Sequence, residues 1–362
     1  MKTLHKRAKK RRVRYALVGA GEIARVAVLP AFEHASENSE LAAIVSGDAD
    51  KRRELAERFG AELTGSYEEL ESVIERAHVD AVYVATPNHL HREHTERAAR
   101  AGAHVLCEKP MAPTVEDCEA MLRACQAANV RLMIAYRLHF EEASLRAIEI
   151  AQGGQIGKAR LFTAWLTQQV KAGDIRTRGE PGAGALFDLG VYPINAVRHL
   201  FRAEPTRVFC STTRGDSRFQ GSDASATGTL LFDDERMAQF SVSLEASSIS
   251  AYRVIGERGD LVVDPGFAYH EGLRHLLTIN GRTDERRFPK RDQFAAEIVA
   301  FSRAILENQE IEPSGEEGIA DVRIVQALLE SAKLGKPVDL APFERSLQPS
   351  LRQEIYLPPS RA

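Results

Sequence analysis

Four short stretches hold residue types and spacings that could do chemistry. The first is HVLCEKPMA, His104 to Ala112, where Glu108 and Lys109 stand side by side behind an apolar run and Pro110 follows at once. Buried strands rarely end in an adjacent carboxylate and ammonium, so this edge is a candidate site. The second is VGAGEIA, with the spacing G-x-G-x-x-A. Gly19 permits a tight turn out of a strand, Gly21 lets a pyrophosphate approach the backbone, and Ala24 keeps the next helix close to the sheet. The N-terminus of that helix adds N–H donors and a positive dipole. The pattern alone is weak, but a first strand before it and a helix after it form the context a dinucleotide site requires. Gly19, Gly21, Glu22, Ile23 and Ala24 are the candidate contacts.

The third stretch, IVSGDADKRR, should distinguish between dinucleotides. An NAD site wants an acidic residue at the end of the second strand. Ser46 stands there instead, Asp48 lies past the strand tip, and Lys51, Arg52 and Arg53 follow. A hydroxyl with nearby cations suits a 2′-phosphate, so NADP is expected over NAD, with Ser46, Lys51 and Arg52 as contacts. At least one of the three cations belongs to the solvated face of a helix. The fourth is ATPNHLH. Pro87 ends its strand, and ligands of open α/β sheets bind beyond the carboxyl ends of strands. Thr86, Pro87, Asn88 and His89 should therefore border the cofactor. His89, His91 and His94 suggest a metal, but no carboxylate or cysteine completes a set. No metal is expected, and surface or cap roles are assigned to them.

The elements that must position these residues follow from patterning. Runs at 13–18, 41–46, 80–86, 103–107 and 130–135 read as strands buried on both faces, separated by helix-period segments that close on glycine. Such alternation implies right-handed crossovers and a parallel, doubly wound sheet. After residue 135 a helix near 139–152 leads into ARLFTAWLTQQV, and a glycine-rich link precedes a helix beginning near Asp188. Period-two segments from about 205 to 280 imply a mostly antiparallel sheet with one face under helices. The expected organisation is a basic tail (1–12), a nucleotide-binding domain (13–135), an α+β substrate and oligomerisation domain with a large open sheet (136–340), and a C-terminal arm (341–362). The fold class is α/β.

The 362 residues allow two domains and a substantial core. A formal net charge of −3 argues against a general nucleic-acid binder, despite six cations between Lys6 and Arg12. That basic run reads as a solvated tail, with contact to an anionic surface as the alternative. No apolar segment of ~18 residues is present, so no transmembrane helix is expected. Cys107, Cys118, Cys125 and Cys210 show no metal or redox spacing, which suits reduced thiols in a cytoplasmic protein.

Taken in order, VGAGEIA, ATPNHLH, CEKPMA and DLGVYPIN resemble the glucose–fructose oxidoreductase/inositol dehydrogenase/MocA family of NAD(P)-dependent oxidoreductases, nearest its glucose–fructose oxidoreductase branch. The resemblance implies a Rossmann domain followed by a domain whose open sheet packs against another subunit, giving a homodimer or homotetramer. It implies that Lys109 is catalytic, with Pro110 usually after a cis bond, and that Asp188 and Tyr192 act with it. It also implies adenosine-phosphate contacts at Ser46 and Lys51. Many relatives carry histidine where this chain has Tyr192, so proton transfer here would run through a phenol.

On that basis Tyr192 is expected as acid/base, Lys109 as its activator and oxygen ligand, and Asp188 as orienter. A phenol titrates near ~10 in water, and an ammonium within roughly 4–6 Å favours its phenolate. Which of Lys109 and Tyr192 moves the proton stays open at this level. Glu108 is expected at a cofactor hydroxyl or in support of Lys109. Arg137 and His139, in AYRLHF, follow another strand end. Arg137 is placed at the cofactor, and His139, Gln169 and Lys171 at the substrate. Trp165 reads as sheet packing. The expected function is NADP-dependent oxidation or reduction of a sugar, polyol or related hydroxy/carbonyl compound. The alternatives are a trans-dihydrodiol dehydrogenase and a non-catalytic NADP-binding regulator.

Overall fold

The structure, a computed structural model, describes residues 11–359. The expected basic tail lies outside these residues except for its end, where Arg11 pairs with Asp80 at 3.0 Å and Arg12 with Glu40.

The first sheet is parallel and six-stranded. It comprises β1 (Val13–Val18), β2 (Ser39–Val45), β3 (Leu63–Gly65), β4 (Ala81–Val84), β5 (His104–Cys107) and β6 (Leu132–Ile134), in the order β3-β2-β1-β4-β5-β6. Five of these strands match the apolar runs. β3 has only three residues, none of them in an apolar run, so patterning misses it. The order reverses between β1 and β4, which opens a crevice at the carboxyl ends of the strands. Local chemistry sets the helix ends. Asp48 accepts from the Lys51 backbone N–H at 3.0 Å to start helix Ala49–Phe59, and Gly60 ends it at a φ of +73°.

The second sheet has nine strands: β7 (Ala159–Gln169), β8 (Arg207–Thr213), β9 (Ser225–Leu231), β10 (Met237–Ser243), β11 (Glu245–Gly256), β12 (Gly259–Val263), β13 (Arg274–Ile279), β14 (Arg282–Arg287) and β15 (Val338–Asp339). All its pairs are antiparallel except β7 with β10. The run RMAQFSVSLEAS, read from patterning as one segment, divides at Leu244 into the end of β10 and the start of β11. One face packs Phe162, Phe240 and Val208 against Ile194, Ile324 and Leu328 of helices Val191–Phe201 and Gly315–Leu334. The other face is open and carries Leu161, Trp165, Phe209, Met237 and Ile249, each at least 41 % exposed.

Two late segments close the structure. Helix Gln293–Leu306 returns to the first sheet, where Ile298 and Phe301 join the core of Tyr15, Leu17 and Tyr83. The C-terminal arm lies along the body of the protein. Arg345 bonds Glu204 at 2.8 Å, Gln353 bonds the Glu312 backbone carbonyl at 3.0 Å, and Ile355 and Leu357 pack on the same core as Phe294.

Candidate active site

A cleft of about 740 Å³ runs from the glycine turn after β1 to residues on the second sheet. At its first end Gly19 has a φ of +103°, and a Cβ there would lie 2.4 Å from the Ala85 carbonyl oxygen. No other residue fits that turn. Gly21 is different: a Cβ there would meet nothing within 4 Å. The space over its backbone is the room a pyrophosphate needs. Glu22 and Ile23 line the cleft, whereas Ala24 is buried beneath it and serves helix packing.

Ser46, Asp48 and Lys51 form the far wall. Asp48 is already engaged by its cap and by Lys51 Nζ at 3.6 Å. Arg52 does not line the cleft. It turns back to donate to the Ser46 carbonyl at 2.8 Å, one helix position being enough to redirect it. Tyr67, which no local pattern marks, joins this wall. Thr86, Pro87, Asn88 and His89 all border the cleft as expected from their strand end.

His91 and His94 correct the surface reading, because both are buried. His91 ties two cleft-forming turns together, with Nε2 2.9 Å from the Thr86 carbonyl and Nδ1 3.1 Å from that of Pro110. Burial lowers the pKa of both rings, that of His94 to about 4.

At the catalytic end, β5 delivers Glu108 and Lys109 to the cleft, and the Lys109–Pro110 bond is cis. A wide π-type turn, Leu186–Gly190, carries Asp188 into helix Val191–Phe201, which carries Tyr192. Lys109 Nζ donates to the Asp188 backbone carbonyl at 2.8 Å and to its Oδ1 at 3.4 Å, and lies 4.6 Å from the centre of the Tyr192 ring. An ammonium has three N–H groups, so one remains for a ligand. Burial alone would lower the pKa of Lys109, but the facing Tyr192, Asp188 and Glu108 outweigh it and the pKa is raised. The lysine is therefore an ammonium at neutral pH and serves as a donor. Burial would raise Asp188, yet Lys109 and Arg176 together hold its carboxyl below the ordinary range.

Arg137 also reaches this cluster, but not as a plain cofactor contact. Its guanidinium bonds Gln293 and the Phe267 carbonyl, and its Nη2 lies 3.3 Å from the Tyr192 hydroxyl. Two cations therefore face the phenol. Arg176, from the short turn Ile175–Thr177 ahead of the glycine-rich link, grips Asp188 Oδ2 at 2.7 Å, and Gln168 Nε2 reaches the same oxygen at 3.5 Å. Neither was anticipated. For Gln168 a signal existed: Phe162, Ala164 and Leu166 alternate on the covered face of β7, and residue 168 continues that row. Gln169, one register step from Gln168, points to the exposed face, and Lys171, past the end of β7, is exposed outside the cleft, so neither lines the substrate end as expected.

His139 is corrected as well. It is buried behind Tyr192 beside a second cavity of about 40 Å³, with Nδ1 2.8 Å from Glu312 and Nε2 2.8 Å from Asn195. With His199 and Glu312 it has a spacing that could hold a metal. The ring nitrogens are already bonded, however, His199 to Glu317 at 2.9 Å and to the Arg345 guanidinium at 3.0 Å.

A doubly wound sheet with an open glycine turn at its switch point, whose own edge lysine meets an aspartate and a tyrosine from a helix of the second domain, defines a dinucleotide-dependent dehydrogenase architecture. Residues 13–136 match the oxidoreductase family with an NAD-binding Rossmann fold, and residues 144–262 match the GFO/IDH/MocA C-terminal domain. The chain is 31% identical over 330 residues to D-xylose 1-dehydrogenase (NADP(+)) 2 of Haloferax volcanii, covering 90% of this chain and 99% of that one. Its structure resembles aldose–aldose oxidoreductase from Caulobacter crescentus complexed with glycerol, with a TM-score of 0.85, 35% identity, and coverage of 91% and 100%. It also resembles KijD10, a 3-ketoreductase from Actinomadura kijaniata in complex with NADP and TDP-benzene, with a TM-score of 0.82, 29% identity, and coverage of 88% and 98%. The chain belongs to the Gfo/Idh/MocA family of oxidoreductases.

Proposed function

We propose that the protein is an NADP-dependent oxidoreductase that transfers a hydride between the nicotinamide and a sugar, polyol or related hydroxy/carbonyl substrate. The observation that carries this is the single cleft joining open space over Gly21 to the Lys109–Asp188–Tyr192 cluster. The NADP and sugar chemistry in the names of its relatives supports the same reading. Ser46 and Lys51 would hold the 2′-phosphate, the backbone at Gly21 the pyrophosphate, and Glu108 a hydroxyl near the catalytic lysine. Bound NADP supplies the hydride acceptor or donor.

The protein's own groups handle the oxygen and the proton. Lys109 donates its free N–H to the reacting oxygen. Tyr192, as the phenolate, receives the hydroxyl proton in oxidation and, as the phenol, returns it in reduction. Ionised Asp188 aims the lysine, and Arg176 aims Asp188. Lys109→Met is expected to lower turnover about a thousandfold, within the range for a lost acid–base group, while NADPH binding, read by nicotinamide fluorescence, persists. Retained turnover would sink the role of Lys109.

The roles of 13–135 as the cofactor half and 136–340 as the substrate half belong to the same proposal. So does a homodimer or homotetramer formed through the open sheet. Five large apolar side chains from four strands share that face, a surface that monomers rarely expose. Light scattering at low protein concentration tests it. No helix among the described residues is long and apolar enough to cross a membrane. Four free, buried cysteines support cytoplasmic operation.

A further inference from the structure

Beneath the catalytic lysine lies a chain of buried oxygens that the scheme above leaves unused. Tyr83 on β4 and Glu297 on helix Gln293–Leu306 are fully buried, and Glu108 is nearly so. The Tyr83 hydroxyl oxygen lies 2.9 Å from Glu108 Oε1 and 2.7 Å from Glu297 Oε1. A phenol has one hydrogen to donate. It satisfies one carboxylate, and the second contact then needs a hydrogen on a carboxyl oxygen.

The neighbours decide which carboxyl carries it. Burial raises the pKa of Glu108 too, but the facing Lys109 ammonium opposes that rise, and Glu108 Oε2 accepts from the Lys109 backbone N–H at 3.2 Å. Glu297 has no such partner, and its Oε2 is buried without a hydrogen bond. An ionised oxygen left bare in a dry interior is far more costly than a neutral one. The other charged or titratable groups facing the pair are Arg137 near both acids, Asp292 and Tyr15 near Glu297, and Cys107 near Glu108. Only Arg137 opposes the proton on Glu297, and it does so without a direct bond.

We propose that Glu297 is a neutral carboxylic acid at neutral pH and acts as a positioning residue, donating to Tyr83, which in turn donates to an ionised Glu108 and aims it beside Lys109. Burial pushes Glu297 well above the ordinary carboxylate range, and the charge on Glu108 pushes it the same way. Gln293, one turn earlier on the same helix, bonds Arg137, which reaches the Tyr192 hydroxyl. A single helical turn thus braces both neighbours of Lys109: the phenol through Arg137 and Glu108 through Tyr83. These two residues come from a helix that follows β14 in the chain.

The role of Glu108 at the cofactor rests on the proposed function, but the protonation of Glu297 does not. Infrared spectra of the full chain in D2O, with neither cofactor nor sugar, should show a protonated-carboxyl stretch near neutral pH that Glu297→Gln removes. An unchanged spectrum in that variant would overturn the proposal. With NADP and an accepted substrate, Glu297→Leu should lower kcat/KM about tenfold, the size of one lost buried hydrogen bond. Glu297→Gln keeps an N–H donor for Tyr83 and should recover most of that loss. It should also lack the alkaline fall in activity that sets in when Glu297 ionises. A glutamine variant as impaired as the leucine variant would count against the idea. Loss of the infrared band alongside intact Lys109 chemistry, or the reverse, separates this inference from the redox assignment.

Discussion

Arg198 and Lys109 are both cations withdrawn from solvent and faced by carboxylates, yet their bonding differs in one respect. Arg198 is fully buried, and all five of its N–H groups have acceptors. Nε donates to Glu204 at 2.9 Å, Nη1 to Glu317 at 2.7 Å and to Asp321, and Nη2 to Glu204 at 3.0 Å and Glu317 at 3.3 Å. Lys109 uses two of its three donors, both on Asp188, and its side chain keeps 13% exposure on the cleft. A saturated cation holds elements together; an unsaturated one can hold a substrate. Bonding capacity, rather than charge or burial, separates the structural cluster from the catalytic one.

The strongest way to break this comparison is Arg198→Leu. It would leave Glu204, Glu317 and Asp321 facing one another, and breaking such a buried group by removing one partner costs about 3–5 kcal/mol. Urea unfolding should show that loss, and a change under about 1 kcal/mol would erase the contrast.

A smaller effect is expected at Arg176. Arg176→Ala removes one of the two cations that hold Asp188 ionised, so the acid limb of the pH–activity profile should move to higher pH, by about one unit. The sign extends to stability. The folded pKa of Asp188 lies below its unfolded value near ~3.9, so its stabilising contribution is present above that value and lost as pH falls through the lower folded one. In Arg176→Ala that loss should begin at higher pH in acid unfolding.

The smallest test sharpens the comparison at one strand. Gln168→Ala should lower kcat/KM a few-fold, about the effect of one weak hydrogen bond, whereas Gln169→Ala on the open face should leave it unchanged. Equal effects would mean that β7 presents the other face.

Much of the first domain is legible residue by residue. The glycine turn, the apolar strand runs and the proline that ends β4 each act over a few positions, so local pattern suffices to place Gly21, Thr86 and Lys109 on one cleft. The second domain yields less. There the division at Leu244 depends on strand order, whereas in the first domain only β3 is too short to show a period. Alternation along β7 could have separated Gln168 from Gln169, because a one-residue shift reverses the face. Nothing local marks Arg176, since its role exists only where the turn Ile175–Thr177 passes Asp188.

What the sequence determined by itself is the set of local conformations and the chemical types at the cleft: a turn only glycine can make at residue 19, a serine in place of an acid at 46, and an ammonium and a phenol for the reaction. What only the tertiary structure decided is which of these groups meet and which donors stay free. Lys109 and Asp188 are 79 residues apart, and Tyr83 and Glu297 are 214 apart. Hydrogen-bond saturation and shared protons depend on distances of a few ångströms between such segments, and no short-range pattern carries those distances.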